Sequence, residues 1–191
     1  AAGRLKLGNG CDAGVDVGPL VSEAQMEKVL GYIDTGVSEG ARIALGGKRR
    51  AEGRLGLGWF IEPTVFTNVD PEMRIAQEEI FGPVVAVIKA NGLDDAIKIA
   101  NGVKYGLSSS IYTQDVNAGA VAERDLDAGI VYINAPTIGA EIQLPFGGTK
   151  MSGLGRKEAG GRGGSLDMFT KWKVIYRDFS GRLQKAQTEA D

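Results

Sequence analysis

The chain has no histidine and a single cysteine, Cys11. The first absence removes the side chain that most often serves as general base and as metal ligand near neutral pH. The second excludes an internal disulfide framework. No apolar run approaches the ~20 residues needed to span a bilayer. The N-terminus, Ala1-Ala2-Gly3-Arg4-Leu5, carries neither a signal-peptide pattern nor an initiator methionine. The expectation is a piece of a longer chain, or a processed one, located in the cytoplasm. Excess charge of one sign is missing too. With 22 basic and 24 acidic residues the net charge is −2, which gives no electrostatic reason to expect nucleic acid or a membrane as partner. Nor is there a complete phosphate-binding glycine loop. Gly8-Asn9-Gly10 and Gly56-Leu57-Gly58 lack the third glycine of G-x-G-x-x-G, and Gly47-Lys48 is followed by Arg49 rather than Ser or Thr. By its own residues the chain does not form a whole dinucleotide site.

Glycine is abundant instead, with 29 residues, about twice the usual ~7%, and much of it lies after residue 138. The stretch from Gly139 to Gly164 is too rich in it for long regular elements. Upstream, the pattern is that of an α/β protein. Ser22 and Gln25 form a capping-box pattern, and Met26, Val29, Leu30, Ile33 and Val37 recur at helical spacing up to Gly40. Ile43 to Leu45 reads as a strand, Gly46 to Gly58 as an exposed turn or hairpin, and Trp59 to Val69 as extended chain with an edge or bulge at Pro63. Then strand and helix alternate. Val84 to Ile88, Leu93 to Asn101, Ser108 to Tyr112, a helix capped by Asp115, and Ile130 to Ile133 give β-α-β-α-β order. That order predicts a parallel core with right-handed crossovers. Ligands of open α/β sheets sit beyond the carboxyl ends of strands, so the loop starting at Asn134-Ala135-Pro136 is a candidate site. Ser165 to Thr170 reads as a helical turn, Trp172 to Phe179 as a strand with apolar residues on both faces, and Gln184 to Asp191 as a polar tail.

Two blocks carry specific chemistry. Glu78-Glu79-Ile80-Phe81-Gly82-Pro83-Val84 is the first, and Pro145-Phe146-Gly147-Gly148-Thr149-Lys150-Met151-Ser152-Gly153-Leu154-Gly155-Arg156 is the second. Taken alone, the glutamates could be a solvated pair at a helix end and the glycines a plain loop. Together, and in order with Gly18-Pro19-Leu20, Phe60-Ile61-Glu62-Pro63-Thr64-Val65, Asn101, Tyr105-Gly106-Leu107 and Val131-Tyr132-Ile133-Asn134, they resemble the C-terminal part of the NAD(P)-dependent aldehyde dehydrogenases. The likeness runs from about Gly8 to Phe179.

The resemblance implies an aldehyde-dehydrogenase-like catalytic domain fragment over residues 1–170, with an oligomerisation strand and polar tail over 171–191. It implies oxidation of an aldehyde to a carboxylic acid with NAD or NADP, in a homodimer or homotetramer. Glu79 resembles the ligand of the nicotinamide ribose hydroxyls, and Phe81 the residue packed beside the nicotinamide ring. A carboxylate can accept both ribose hydroxyl hydrogen bonds, and an aromatic wall orients a flat ring. Phe146 resembles the border of the substrate tunnel. Gly139-Ala140-Glu141 is similar to the semialdehyde-oxidising, antiquitin-like branch, where the Gly-Ala backbone contacts a distal carboxylate. The alternative is a loop of ordinary shape with no such ligand. The family nucleophile stands in a G-Q-x-C context, whereas Cys11 stands in Asn9-Gly10-Cys11-Asp12-Ala13 and reads as an incidental loop thiol. This chain is therefore expected to be inactive alone. A catalytically dead binding or assembly module of the same fold is the other reading. Lys171, in Phe169-Thr170-Lys171-Trp172-Lys173, reverses a common family glutamate, and Lys157 adds a residue between Arg156 and Glu158. Both depart from the family pattern where subunits couple.

Overall fold

A computed structural model of the chain describes residues 1–139, 144–153, 169–177 and 179. Helix α1, Glu23–Ser38, starts where the sequence predicts. Ser22 is extended and its hydroxyl accepts from the Gln25 N–H at 3.2 Å. The reciprocal half of the capping box does not form, because the Gln25 side chain reaches elsewhere. Met26, Val29 and Ile33 are buried on the inner face, but Val37 is 50% exposed and Gly36 is buried in its stead. Close approach explains the change. A Cβ at Gly36 would lie 2.9 Å from Ile75 Cδ1 and 3.2 Å from Phe66 Cε1, so the helix turns its bare backbone, not Val37, toward the core.

Strand β1 (Arg42–Leu45) pairs antiparallel with β4 (Thr64–Thr67), which pairs in parallel with β5 (Val84–Ala86). Between them β2 (Arg49–Arg50) and β3 (Phe60–Ile61) close the expected hairpin. Pro63 falls between β3 and β4, where its missing N–H costs no ladder bond. Short helix α2 (Arg74–Gln77) links β4 to β5. Met26, Val29, Ile33, Ile61, Phe66, Val69, Ile75 and Ile80 form one buried cluster where α1 and α2 cover this sheet.

Helix α3 (Leu93–Asn101), strand β6 (Tyr105–Gly106), β7 (Ser108–Ile111), helix α4 (Val116–Asp125) and β8 (Ile130–Ile133) follow. Asp115 caps α4 as predicted, accepting from Asn117 N–H at 2.8 Å. The β-α-β-α-β order is present, but its strands do not make one sheet. β7 and β8 pair in parallel, from Ser108–Ile130 to Ile111–Ile133. β5 takes β4 as its partner instead, through Thr64 N–H to Pro83 O at 2.8 Å and Val87 N–H to Phe66 O at 2.9 Å. No β5–β7 pairing occurs among the described residues. Strand β9 (Thr149–Lys150), inside the glycine-rich stretch, pairs antiparallel with β6.

Where a strand is expected from Trp172 to Phe179, no strand pairing occurs among the described residues. Residues 171–177 and 179 lie on the surface. A strand needs a partner for its backbone groups, and none is offered among the described residues. Of the turn expected over 165–170 only Phe169 and Thr170 are described, and Phe169 is helical. The Leu154–Glu158 stretch and the polar tail fall outside the described residues.

Candidate functional site

The segment Glu78–Val84 alternates between anchored and free positions. Glu78 is anchored. It accepts from the Tyr32 hydroxyl at 2.8 Å and from Arg74 Nε and Nη2 at 3.1 and 2.9 Å. Arg74, foremost, and then Tyr32 hold the Glu78 carboxyl down to about 2. The bond to Glu78 in turn pushes the Tyr32 phenol above its ordinary value. Lys28 and Arg74 both lie over the Tyr32 ring, 5.8 and 5.5 Å from its centroid. Glu79 is exposed and has no hydrogen-bond or ion-pair partner among the described residues. Ile80 returns to the core, and Phe81 is 71% exposed at φ 56°. For a bulky residue that backbone conformation is strained and persists only where its surroundings dictate it. Here Gln25 Nε2 donates to Phe81 O at 2.9 Å and to Ile80 O at 3.2 Å. Gly82 then sits so near α1 that a Cβ would meet Val29 Cγ2 at 2.6 Å.

The loop after β8 bounds a cleft of about 780 Å³, lined among others by Tyr132, Ile138, Gly139, Leu144, Pro145 and Phe146. This is the strand end at which the sequence places a site. Among the described residues, no charged side chain lines it. The loop is held by its own groups. The Asn134 amide accepts from Thr113 N–H at 2.8 Å and donates to Thr113 O at 2.9 Å, which adds a rung to the β7–β8 pair. Ser110 donates to Ala135 O at 2.6 Å, and the Tyr132 hydroxyl donates to Gly139 O at 2.5 Å. Phe146 is 37% exposed and shares this cleft with Gly139. Ala140 and Glu141 lie outside the described residues.

A second, smaller cleft of about 450 Å³ is lined by Glu78, Glu79, Val103, Tyr105, Leu107, Met151 and Ser152 among others. The candidate residues thus divide. Phe146 and Gly139 share one cleft, Glu79 lines the other, and Phe81 stands exposed beyond both. The chain segment 144–153 walls both clefts at its two ends. Cys11 lines neither; it is an exposed thiol whose N–H donates to the Asn9 side chain at 3.1 Å. A further cleft, about 570 Å³ between the N-terminal loop and the Gly53–Leu57 turn, contains none of the candidates. No cluster of metal-ligating side chains occurs among the described residues.

Sequence reasoning did not anticipate that Gln25 supports Phe81, or that Tyr32 and Arg74 secure Glu78. The Arg74–Glu78 spacing of four on a helix was a readable signal. The Gln25 contact, across 56 residues, left none.

Comparison with known proteins gives the family of the chain. The aldehyde dehydrogenase family model matches residues 1–175. The alpha-ketoglutaric semialdehyde dehydrogenase of Bacillus subtilis is 41% identical over 172 residues, covering 90% of this chain and 35% of that protein. A crystal structure of betaine aldehyde dehydrogenase from Staphylococcus aureus in complex with NAD+ superposes with TM-score 0.81 at 42% identity, over 85% of this chain and 32% of that one. An aldehyde dehydrogenase of Mycobacterium tuberculosis, complexed with NAD+, gives TM-score 0.77 at 46% identity, over 83% and 32%. The chain spans about a third of the length of the curated relatives it matches. It belongs to the aldehyde dehydrogenase family.

Proposed function

We propose that this chain is the C-terminal part of the catalytic domain of a cytoplasmic NAD(P)-dependent aldehyde dehydrogenase that oxidises an aldehyde to a carboxylic acid. The observation that carries the reading is the environment of Glu79. It is a partnerless, exposed carboxylate held between an anchored glutamate and a strained, outward-facing Phe81. The residues present fit a nicotinamide riboside. Glu79 would accept the hydrogen bonds of the two ribose hydroxyls, and Phe81 would wall the flat ring. When bound, the nicotinamide accepts a hydride from the substrate. Everything this chain contributes is binding and orientation. Glu79 fixes the ribose, Phe81 limits the ring's tilt, and the apolar cleft lined by Phe146 holds the carbon chain of the aldehyde away from water.

The thiol nucleophile and its base are assigned to a part of the enzyme outside this chain, since Cys11 lines neither cleft. The isolated chain is accordingly inactive. The proposed substrate is a semialdehyde with a distal carboxylate, held by backbone N–H groups of Gly139 and Ala140. Its support is Gly139 on the wall of a cleft whose described lining is uncharged, and a semialdehyde dehydrogenase among the relatives. The proposed assembly is a homodimer or homotetramer joined through residues 171–179. The deciding measurement is aldehyde-dependent NAD(P)H formation, by the longer protein that carries this chain and by the chain alone. Turnover in the longer protein only is expected. Turnover by the isolated chain that disappears in Cys11→Ser would overturn the assignment.

A further inference from the structure

We infer that Lys150 is a positioning residue whose partly buried ammonium sets the walls of both clefts at once. Its surroundings make the case. Lys150 Nζ donates to Asn101 O at 2.9 Å and Val103 O at 3.2 Å, and stands 3.5 Å from Asp127 Oδ2, with the side chain only 20% exposed. Asn101 is the last residue of α3, where carbonyls lack helical partners and the helix end favours a cation. Two of the ammonium's donors are thereby matched to backbone carbonyls, and its charge is paired with Asp127. The same Asn101 ties down the end of α4: its Nδ2 donates to Asp125 O at 2.7 Å, and its Oδ1 accepts from Asp127 N–H at 2.8 Å. Lys150 therefore plugs into the joint between two helix ends.

The backbone at Lys150 is at φ 51°, a conformation a lysine holds only when its surroundings impose it. Several contacts do so. Met151 N–H donates to Lys104 O at 3.1 Å, and Gly106 N–H donates to Ser152 Oγ at 3.1 Å. Thr149 Oγ1 donates to Asp127 O at 3.1 Å. These contacts fasten the segment on both sides of the Lys150 side chain's own bonds. On one side of Lys150 it carries Phe146 into the larger cleft; on the other it carries Met151 and Ser152 into the cleft lined by Glu79. Removing the ammonium takes this donor from two partly buried carbonyls and loosens both walls together, whereas a change at Phe146 or Glu79 disturbs only its own cleft.

This inference rests on the proposed function for what the clefts bind, but the clamp itself is a statement about the chain. The test uses Lys150→Met and Lys150→Arg in the longer enzyme, with Lys98→Met, an exposed charge on α3, as control. Hydrogen exchange of residues 147–153, NAD+ affinity, steady-state kinetics and melting temperature are measured for each. Lys150→Met is expected to speed exchange in that segment. It is also expected to raise both the NAD+ Kd and the aldehyde KM by roughly three- to tenfold, with a smaller fall in kcat. Lys150→Arg, which folds with the charge retained, is expected to recover most of both. A lowered melting temperature with unchanged Kd and KM, or a change in one binding constant alone, would overturn the two-wall role. If the wild-type enzyme neither binds NAD+ nor oxidises aldehydes, the functional reading fails, and exchange in the variants still decides the clamp.

Discussion

Gln25 and Phe81 lie 56 residues apart in sequence, and the Gln25 Nε2 donates to the Phe81 carbonyl at 2.9 Å. The same nitrogen reaches Ile80 O at 3.2 Å. A helix N-terminus thus carries the support for an aromatic residue held at positive φ. Gln25→Ala removes both bonds and is expected to cost about 1–2 kcal/mol, at ~0.5–1.5 kcal/mol for each bond. Gln25→Glu is expected to cost more near neutral pH, because a carboxylate would face two carbonyl oxygens. Urea denaturation of the three proteins checks this; a Gln25→Glu variant as stable as wild type would show that the contact does not hold the loop.

Glu78 and Glu79 give a paired prediction. Glu78 is anchored and Glu79 is not, so Glu78→Gln should lower the melting temperature and leave cofactor affinity little changed. Glu79→Gln should do the reverse. One charge-assisted hydrogen bond is worth ~1.5–3 kcal/mol, so Glu79→Gln in the longer enzyme should weaken NAD(P)+ use roughly tenfold to a hundredfold. Cofactor titration beside thermal melts separates the two. An unchanged Kd with a depressed melting temperature would make Glu79 structural.

Acid titration adds a test of Glu78 alone. Its folded-state value, about 2, lies below the ordinary ~4.3 of a glutamate. The unfolded chain therefore binds the proton more readily. The contribution of Glu78 is fully present above ~4.3 and is lost as the pH falls toward 2. Glu52 and Asp125 are also lowered, by Arg50 and Arg124 respectively, so the acid slope is shared. The stability difference between wild type and Glu78→Gln should shrink from pH 5 to pH 2. A difference that stays constant across that range would exclude the Arg74–Glu78–Tyr32 contact in solution.

Gly82→Ala tests the close approach of the Phe81 segment to α1. The added Cβ would lie 2.6 Å from Val29 Cγ2 and 2.9 Å from Val29 Cγ1, and Val29 is wholly buried. Overpacking of this kind costs about 1–3 kcal/mol, read as a shift in the denaturant midpoint. A Gly82→Ala variant with wild-type stability would mean that α1 and the segment do not touch as described.

Local signals in the sequence were reliable where the cause was local. Ser22 and Asp115 cap the helices they precede, and Leu93–Asn101 is helical as its pattern predicts. The cleft after β8 lies where a strand end demands it. What escaped was partnership over distance. Nothing in Val84–Ile88 told that its partner would be Thr64–Phe66 and not Ser108–Ile111, since both are β-rich runs a crossover away. Gln25 looked like a capping residue because its distant acceptors, Ile80 O and Phe81 O, are backbone atoms that any sequence provides. Val37 fits the apolar stripe of α1 by spacing, yet Gly36 packs, because Ile75 and Phe66 allow only bare backbone there.

The C-terminal segment supplies the last prediction. Phe169, Trp172, Val174, Ile175, Tyr176 and Phe179 are all exposed. A run of large apolar side chains on one short segment is more than scattered surface hydrophobes require, and contiguous patches of this kind mark contact sites. The backbone of residues 171–177 also has no strand partner among the described residues. A second copy of the chain could satisfy both needs, by covering the side chains and offering a strand edge to the backbone groups. Deleting the residues after Thr170 should therefore convert the proposed oligomer of the longer enzyme to monomers or to insoluble protein. The milder Trp172→Lys/Tyr176→Lys double variant should shift the equilibrium toward smaller species while leaving the core formed by α1, α2 and β4 intact. Sizing with light scattering, together with far-ultraviolet dichroism, checks both. An unchanged oligomer in the deletion variant would remove the assembly role and leave the exposed aromatics without a partner of their own kind.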